Sequence, residues 1–79
     1  MTTQINADVT VDARGATCPG PLMDLIGKTK TVDSGTVIEL LTEEKGSTND
    51  VPEWAAKAGH EVLEIVERDG YWAIYVEKA

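Results

Sequence analysis

Ala7-Asp8-Val9-Thr10-Val11-Asp12-Ala13 runs straight into Arg14-Gly15-Ala16-Thr17 and then Cys18-Pro19-Gly20-Pro21-Leu22. The first seven residues alternate apolar and polar with the two-residue period of a half-buried strand. The next four form a turn. Pro19 and Pro21 suit the first turn of a helix, where a missing N–H costs nothing. Beyond them Leu22, Leu25, Ile26 and Thr29 recur at i, i+3, i+4 and i+7, so one side of this helix faces a core. Gly27 weakens the helix by about 1 kcal/mol relative to alanine. Lys28 and Lys30 lie near its C-terminal end, where positive charge is favoured. A strand that feeds a helix across a short turn sets the pattern for the rest of the chain.

Working outward, Asp33-Ser34-Gly35 punctuates the chain before a second strand over residues 36–42, in which Val37, Ile38, Leu40 and Leu41 read as buried on both faces. Residues 43–49 are polar and read as a loop. A second helix is expected to start between Ser47 and Asp50. Ser47-x-x-Asp50 and Asp50-x-x-Glu53 are alternative capping boxes, and Pro52 favours the later start. Val51, Trp54, Ala55 and Ala58 line one face, and Gly59 ends the helix as a left-handed cap would. Two final strands, 61–68 and 71–78, flank Asp69-Gly70, a strong signal for a two-residue hairpin turn. Trp72, Ile74 and Val76 share one face of the last strand, and Trp54 and Trp72 read as core. The order is βαβαββ. The expected class is α+β: a two-layer sandwich with both helices on one face of a mixed four-stranded sheet.

The 79 residues are expected to form one domain, with an ordered core over 7–78. A chain this short buries only about 60% of the surface its unfolded form exposes. At 42% apolar residues the composition still supports a small core. A single cysteine excludes an internal disulfide framework. No stretch approaches the roughly 20 apolar residues of a membrane span, and Met1-Thr2-Thr3-Gln4 lacks the basic-then-apolar start of a secretory signal. A monomer of a reducing cytoplasm is expected. Fourteen acidic residues against seven basic leave a net charge of −7, which argues against binding nucleic acid. The same charge either steers the domain toward basic protein surfaces or simply keeps it in solution.

Cys18 carries the chemistry. It sits at or beside the N-cap of the first helix, where unpaired backbone N–H groups and the macrodipole both favour a thiolate. Pro19 and Pro21 remove two of those donors and stiffen the turn, and Arg14 adds positive charge nearby. No second cysteine exists to resolve a dithiol cycle. The single histidine, His60, lies at the far end of the second helix and reads as structural, which disfavours a Cys–His catalytic pair. One Cys and one His cannot close a metal site within the chain, and no cofactor is called for. Asp12 and Asp50 either orient backbone around the thiol loop or act as ordinary caps. A lone reactive thiol without its own base suits a carrier rather than a self-sufficient enzyme. The competing readings are a binding or regulatory module and a thiol redox sensor.

Asp12-Ala13-Arg14-Gly15 followed by Cys18-Pro19-Gly20-Pro21 resembles the Asp-x-x-Gly-x-x-Cys-Pro-x-Pro signature of TusA/SirA-like sulfur carrier proteins. Residues 46–55 and 59–63 look like that family's second-helix region. The resemblance runs from about residue 9 to residue 78. It implies a βαβαββ sandwich and a sulfur-carrying cysteine at Cys18, with Arg14, Pro19, Pro21 and Asp50 in support. It further implies sulfur donors of the cysteine desulfurase, rhodanese or DsrE-like type, and acceptor enzymes in sulfur trafficking. The cargo is a persulfide, a longer polysulfide or a thiosulfonate.

Overall fold

The computed structural model describes residues 7–15 and 20–79. The elements in chain order are β1 (Val9–Asp12), α1 (Gly20–Thr29), β2 (Val37–Thr42), α2 (Ser47–Ala58), β3 (Glu61–Glu67) and β4 (Trp72–Glu77). The sheet order is β1-β2-β4-β3. β1 runs parallel to β2, and β4 is antiparallel to both of its neighbours. The last strand is thus inserted between the strands that flank α2. The mixed four-stranded sheet with two helices is the α+β fold that the alternation of patterns predicts.

Register decides which side chains meet the helices. Val9, Val11, Ile38, Leu40, Ile74, Val76, Val62 and Ile65 fall on one face. Leu25 of α1 and Val51 of α2 close over that face, and Ile38, Leu40, Ile74 and Val76 are fully buried beneath them. Each such aliphatic side chain contributes roughly 1.5–3 kcal/mol by leaving water. The other face carries no helix. It is spanned instead by a hydrogen-bonded row: Thr10 Oγ1 donates to Glu39 Oε1 at 3.0 Å, Tyr75 Oη to Glu39 Oε2 at 2.6 Å, and Arg68 Nη2 to Tyr75 Oη at 3.2 Å. β2 is therefore not buried on both faces as its composition suggests. Ile38 and Leu40 are buried, whereas Val37 and Leu41 point to the open face and are half-buried.

α2 begins at Ser47, the early end of the expected range, but its capping differs from expectation. Its N-cap is Gly46, in a right-handed helical conformation and without a side-chain cap. Neither expected capping box closes it. The entry is made by backbone instead: Ser47 N donates to Glu44 O at 3.1 Å, Thr48 N to Lys45 O at 3.0 Å and Asn49 N to Gly46 O at 3.1 Å. Tight i→i+3 bonds of this kind satisfy the first orphan donors. Pro52 consequently lies inside the helix, not at its start. The buried stripe is Ser47, Val51 and Ala55; Ala58 is exposed, because the helix ends before the stripe recurs. Gly59 does form the left-handed cap, at φ 86°, and His60 N closes on Ala55 O at 2.8 Å. That six-residue closure is a Schellman motif.

In α1 the buried residues are Pro21, Leu25 and Thr29, with Leu22 and Ile26 half-buried beside them. Pro21 is thus enclosed, and Met23, 58% exposed, is the apolar side chain that α1 presents to solvent. Both tryptophans are half-buried; Trp54 packs against the core margin. The Asp69-Gly70 turn forms as expected, with Arg68 N donating to Tyr71 O at 2.7 Å. Only Gly70 takes a positive φ (89°), so this is not the type I′ turn that needs two such residues. Among the described residues no helix is long and apolar enough to cross a membrane.

Candidate functional site

Because β1 and β2 are parallel and each is followed by a helix, both helices begin at the same end of the sheet. The β3–β4 turn lies at that end too, since β4 is antiparallel to both neighbours. Three connections therefore meet there: the one after β1, the one after β2 and the hairpin. Cys18 and Pro19 belong to the first of these, in residues 16–19, which lie outside the described residues.

On the upstream side, Ala13 is buried and its N–H donates to Leu41 O at 2.8 Å, extending the β1–β2 pairing by one residue. Arg14 then folds back on Asp12. Its Nε donates to Oδ1 at 2.9 Å, its Nη2 to Oδ2 at 2.8 Å, and its backbone N–H to Oδ1 at 3.1 Å. Its guanidinium carbon stands 5.0 Å from the centre of the Tyr71 ring. A planar cation gripped by a carboxylate on one side and an aromatic face on the other is held in one orientation. The hydrogen bonds from Arg14 bring the Asp12 carboxyl down to about 2, and the same pairing raises the Arg14 pKa. Arg14 is therefore half of an ion pair rather than a free positive charge.

On the downstream side, Gly20 opens α1 and the enclosed Pro21 anchors its first turn. No acidic side chain occupies that turn, so the positive end of the helix dipole is unopposed from within α1. The neighbouring β2–α2 connection is pinned by Thr42, which is fully buried. Its hydroxyl accepts from Glu44 N at 3.0 Å and lies 3.5 Å from the buried Ser47 hydroxyl. Asp50, in the first turn of α2, lines a groove of about 270 Å³ between the helices together with Leu22, Glu53, Trp54 and Lys57.

The structure thus sets Arg14 and Pro21 on the two sides of residues 16–19, and places Asp50 beside Leu22, the residue after Pro21. His60 is at the opposite end of α2, a helix of 12 residues and so about 18 Å long. Its ring packs on Trp54 with centroids 5.0 Å apart, and its Nδ1 accepts from Ala79 N at 3.0 Å. These are structural contacts. Tyr71 escapes a reading of the sequence, because its partner Arg14 is far away in the chain; the Thr42–Ser47 pair spans five residues but depends on both hydroxyls being buried. Among the described residues no three His, Cys, Asp or Glu side chains gather as metal ligands.

A small split βαβ sandwich with three connections meeting at one end, and the chain's single cysteine in one of them, defines a class of thiol-bearing domain. Residues 9–78 match the family described as Sulfurtransferase TusA, and the chain belongs to that family. A putative sulfur carrier protein of Archaeoglobus fulgidus is 50% identical over 70 residues, covering 89% of this chain and 96% of that protein. The sulfur carrier protein TusA of Pseudomonas aeruginosa is 27% identical over 73 residues, covering 92% of each. Among solved structures, a SirA-like protein from Desulfitobacterium hafniense superimposes with a TM-score of 0.79 over 87% of this chain and 95% of that one. At 24% identity it speaks to the fold alone.

Proposed function

We propose that this protein is a sulfur carrier that holds sulfane sulfur on Cys18 and passes it from a donor protein to an acceptor enzyme. The observation that carries the reading is the combination of family and inventory. The chain belongs to a family whose named relatives are sulfur carriers, and it has one cysteine. Sulfane sulfur held covalently as a persulfide needs a thiol, and Cys18 is the one cysteine of the chain.

The exchange needs no oxidant. The Cys18 thiolate attacks the outer sulfur of a donor persulfide; a new sulfur–sulfur bond forms at Cys18, and the donor's own breaks. The donor leaves as its thiolate and takes a proton from solvent. An acceptor thiolate then attacks the outer sulfur of the Cys18 persulfide and regenerates the Cys18 thiolate. Arg14, gripped by Asp12 and Tyr71, and the enclosed Pro21 hold the two ends of the segment that bears the thiol. Asp50, at the start of α2, stands at the border where a partner would approach. Donors are proteins of the rhodanese, DsrE-like or cysteine desulfurase type. The carrier acts as a monomer in the cytoplasm, a sulfurtransferase-type carrier rather than a self-sufficient enzyme.

The test is intact-protein mass spectrometry after incubation with inorganic polysulfide, on wild type and Cys18→Ser. The expected result is a gain of whole sulfur atoms, reversed by reductant and absent from the variant. No gain on a thiol shown to be free and reduced beforehand, with partner binding intact in Cys18→Ser, would instead make the protein a binding or regulatory module.

A further inference from the structure

The outer edge of β3 is unlike the rest of the surface. β3 is the last strand of the sheet order, so among the described residues no strand pairs with its outer side. An unpaired edge presents a row of backbone N–H and C=O groups to any extended chain. Two large apolar side chains are exposed on this strand, Leu63 at 36% and Ile65 at 38%. Leu63 is the additional residue of a bulge, where the pairing with β4 shifts between Val62 and Glu64. Glu64 stands between them with Glu61 and Glu67 to either side, all exposed, and Asp69 continues the acidic run into the turn. Among the described residues none of the three glutamates is in an ion pair; the pairs formed are Arg14–Asp12 and Lys57–Glu53.

We infer that this edge docks an extended partner segment in which basic and aliphatic side chains alternate. Main-chain pairing supplies the affinity in strand addition, and side chains at alternate positions supply the selectivity. Ile65 and the half-buried Val62 offer aliphatic contacts on the face that meets the helices, and Glu61 and Glu64 select lysine or arginine on the open face. The same charge disfavours a second copy of this chain, because antiparallel pairing of two β3 strands about Glu64 would set that glutamate against its own copy. β3 and β1 are three strand spacings apart, about 14 Å. β1, the strand that the Cys18-bearing connection follows, is therefore the opposite edge of the sheet. A partner held at β3 leaves that edge uncovered.

The experiment uses the full chain labelled with nitrogen-15 and a synthetic peptide of alternating lysine and valine, about six residues long. A second peptide has alternate amides N-methylated, which keeps the charge and removes the donors. The expected result is shifted and exchange-protected amides within residues 61–67, with at least about tenfold weaker binding between low and high salt, as exposed charges are screened. Binding is expected to weaken by a similar factor for the N-methylated peptide and for the Glu61→Lys/Glu64→Lys variant. Unchanged thermal unfolding of that variant shows that its fold is intact. Equal binding of the N-methylated peptide would overturn strand pairing in favour of plain charge attraction. Absence of binding at millimolar peptide would mean that the bulge and the glutamates serve only to keep the edge unpaired. Sulfur loading on Cys18 by polysulfide is expected to be the same with and without peptide, so failure here leaves the carrier reading standing.

Discussion

Leu25→Ala tests whether α1 is seated as the structure shows, and so whether the helix that begins two residues after Cys18 has a fixed position. Leu25 is fully buried, between Pro21 and Thr29 on the stripe that meets the sheet. Truncating a buried leucine to alanine costs 2–5 kcal/mol in general, as transfer free energy plus the cavity left behind. The site is enclosed but the domain is small and able to relax in part, so about 3 kcal/mol is expected. For a chain of 79 residues each kcal/mol lowers Tm by about 6 °C, which makes the expected drop roughly 18 °C. Met23, on the same helix but 58% exposed, is the internal control. Met23→Ala is expected to change stability by less than about 0.5 kcal/mol. Urea unfolding followed by Trp54 and Trp72 fluorescence reads both variants on one slope. Similar losses for the two, or a loss below about 1 kcal/mol for Leu25→Ala at an unchanged slope, would show that α1 does not present this face to the sheet.

Two further outcomes follow from local geometry. Gly59 sits at φ 86° with open space where a Cβ would project, so Gly59→Ala is a purely backbone perturbation; about 1 kcal/mol of stability is expected to be lost, read by urea unfolding. Asp12 is held down to about 2 by Arg14 against an ordinary value of 3.8. A carboxyl depressed in the folded state stabilises the fold above its unfolded pKa, and that contribution fades as pH falls from about 4 toward 2. A carbon-13 titration of the Asp12 carboxyl is expected to show the low midpoint in wild type and a return toward 3.8 in Arg14→Ala.

Much of this architecture is legible before any coordinates. Alternation in residues 7–13, the i, i+3, i+4 spacing from Leu22 to Thr29 and the Asp69-Gly70 turn are local signals. Local signals survive folding when nothing distant opposes them. The single cysteine ahead of a Pro-x-Pro helix start is equally local, and points to the thiol without a structure. The capping of α2 is not legible in this way, because Pro52 and the two capping boxes are local features that tertiary contacts override. Ser47 is claimed instead by Thr42, a residue of the preceding strand, and the helix closes on its own backbone one turn earlier.

The sequence by itself determined the element order, the helical stop at Gly59 and the identity of the thiol, because each depends on residues within a few positions of one another. Tertiary structure alone decided that Val37 and Leu41 face the open side of the sheet and that Tyr71 backs Arg14. It also decided that β4 lies inside the sheet while β3 is left at its edge. These facts depend on strand order and register. They are set by the burial of one common apolar face across segments up to about 60 residues apart, which no local pattern encodes.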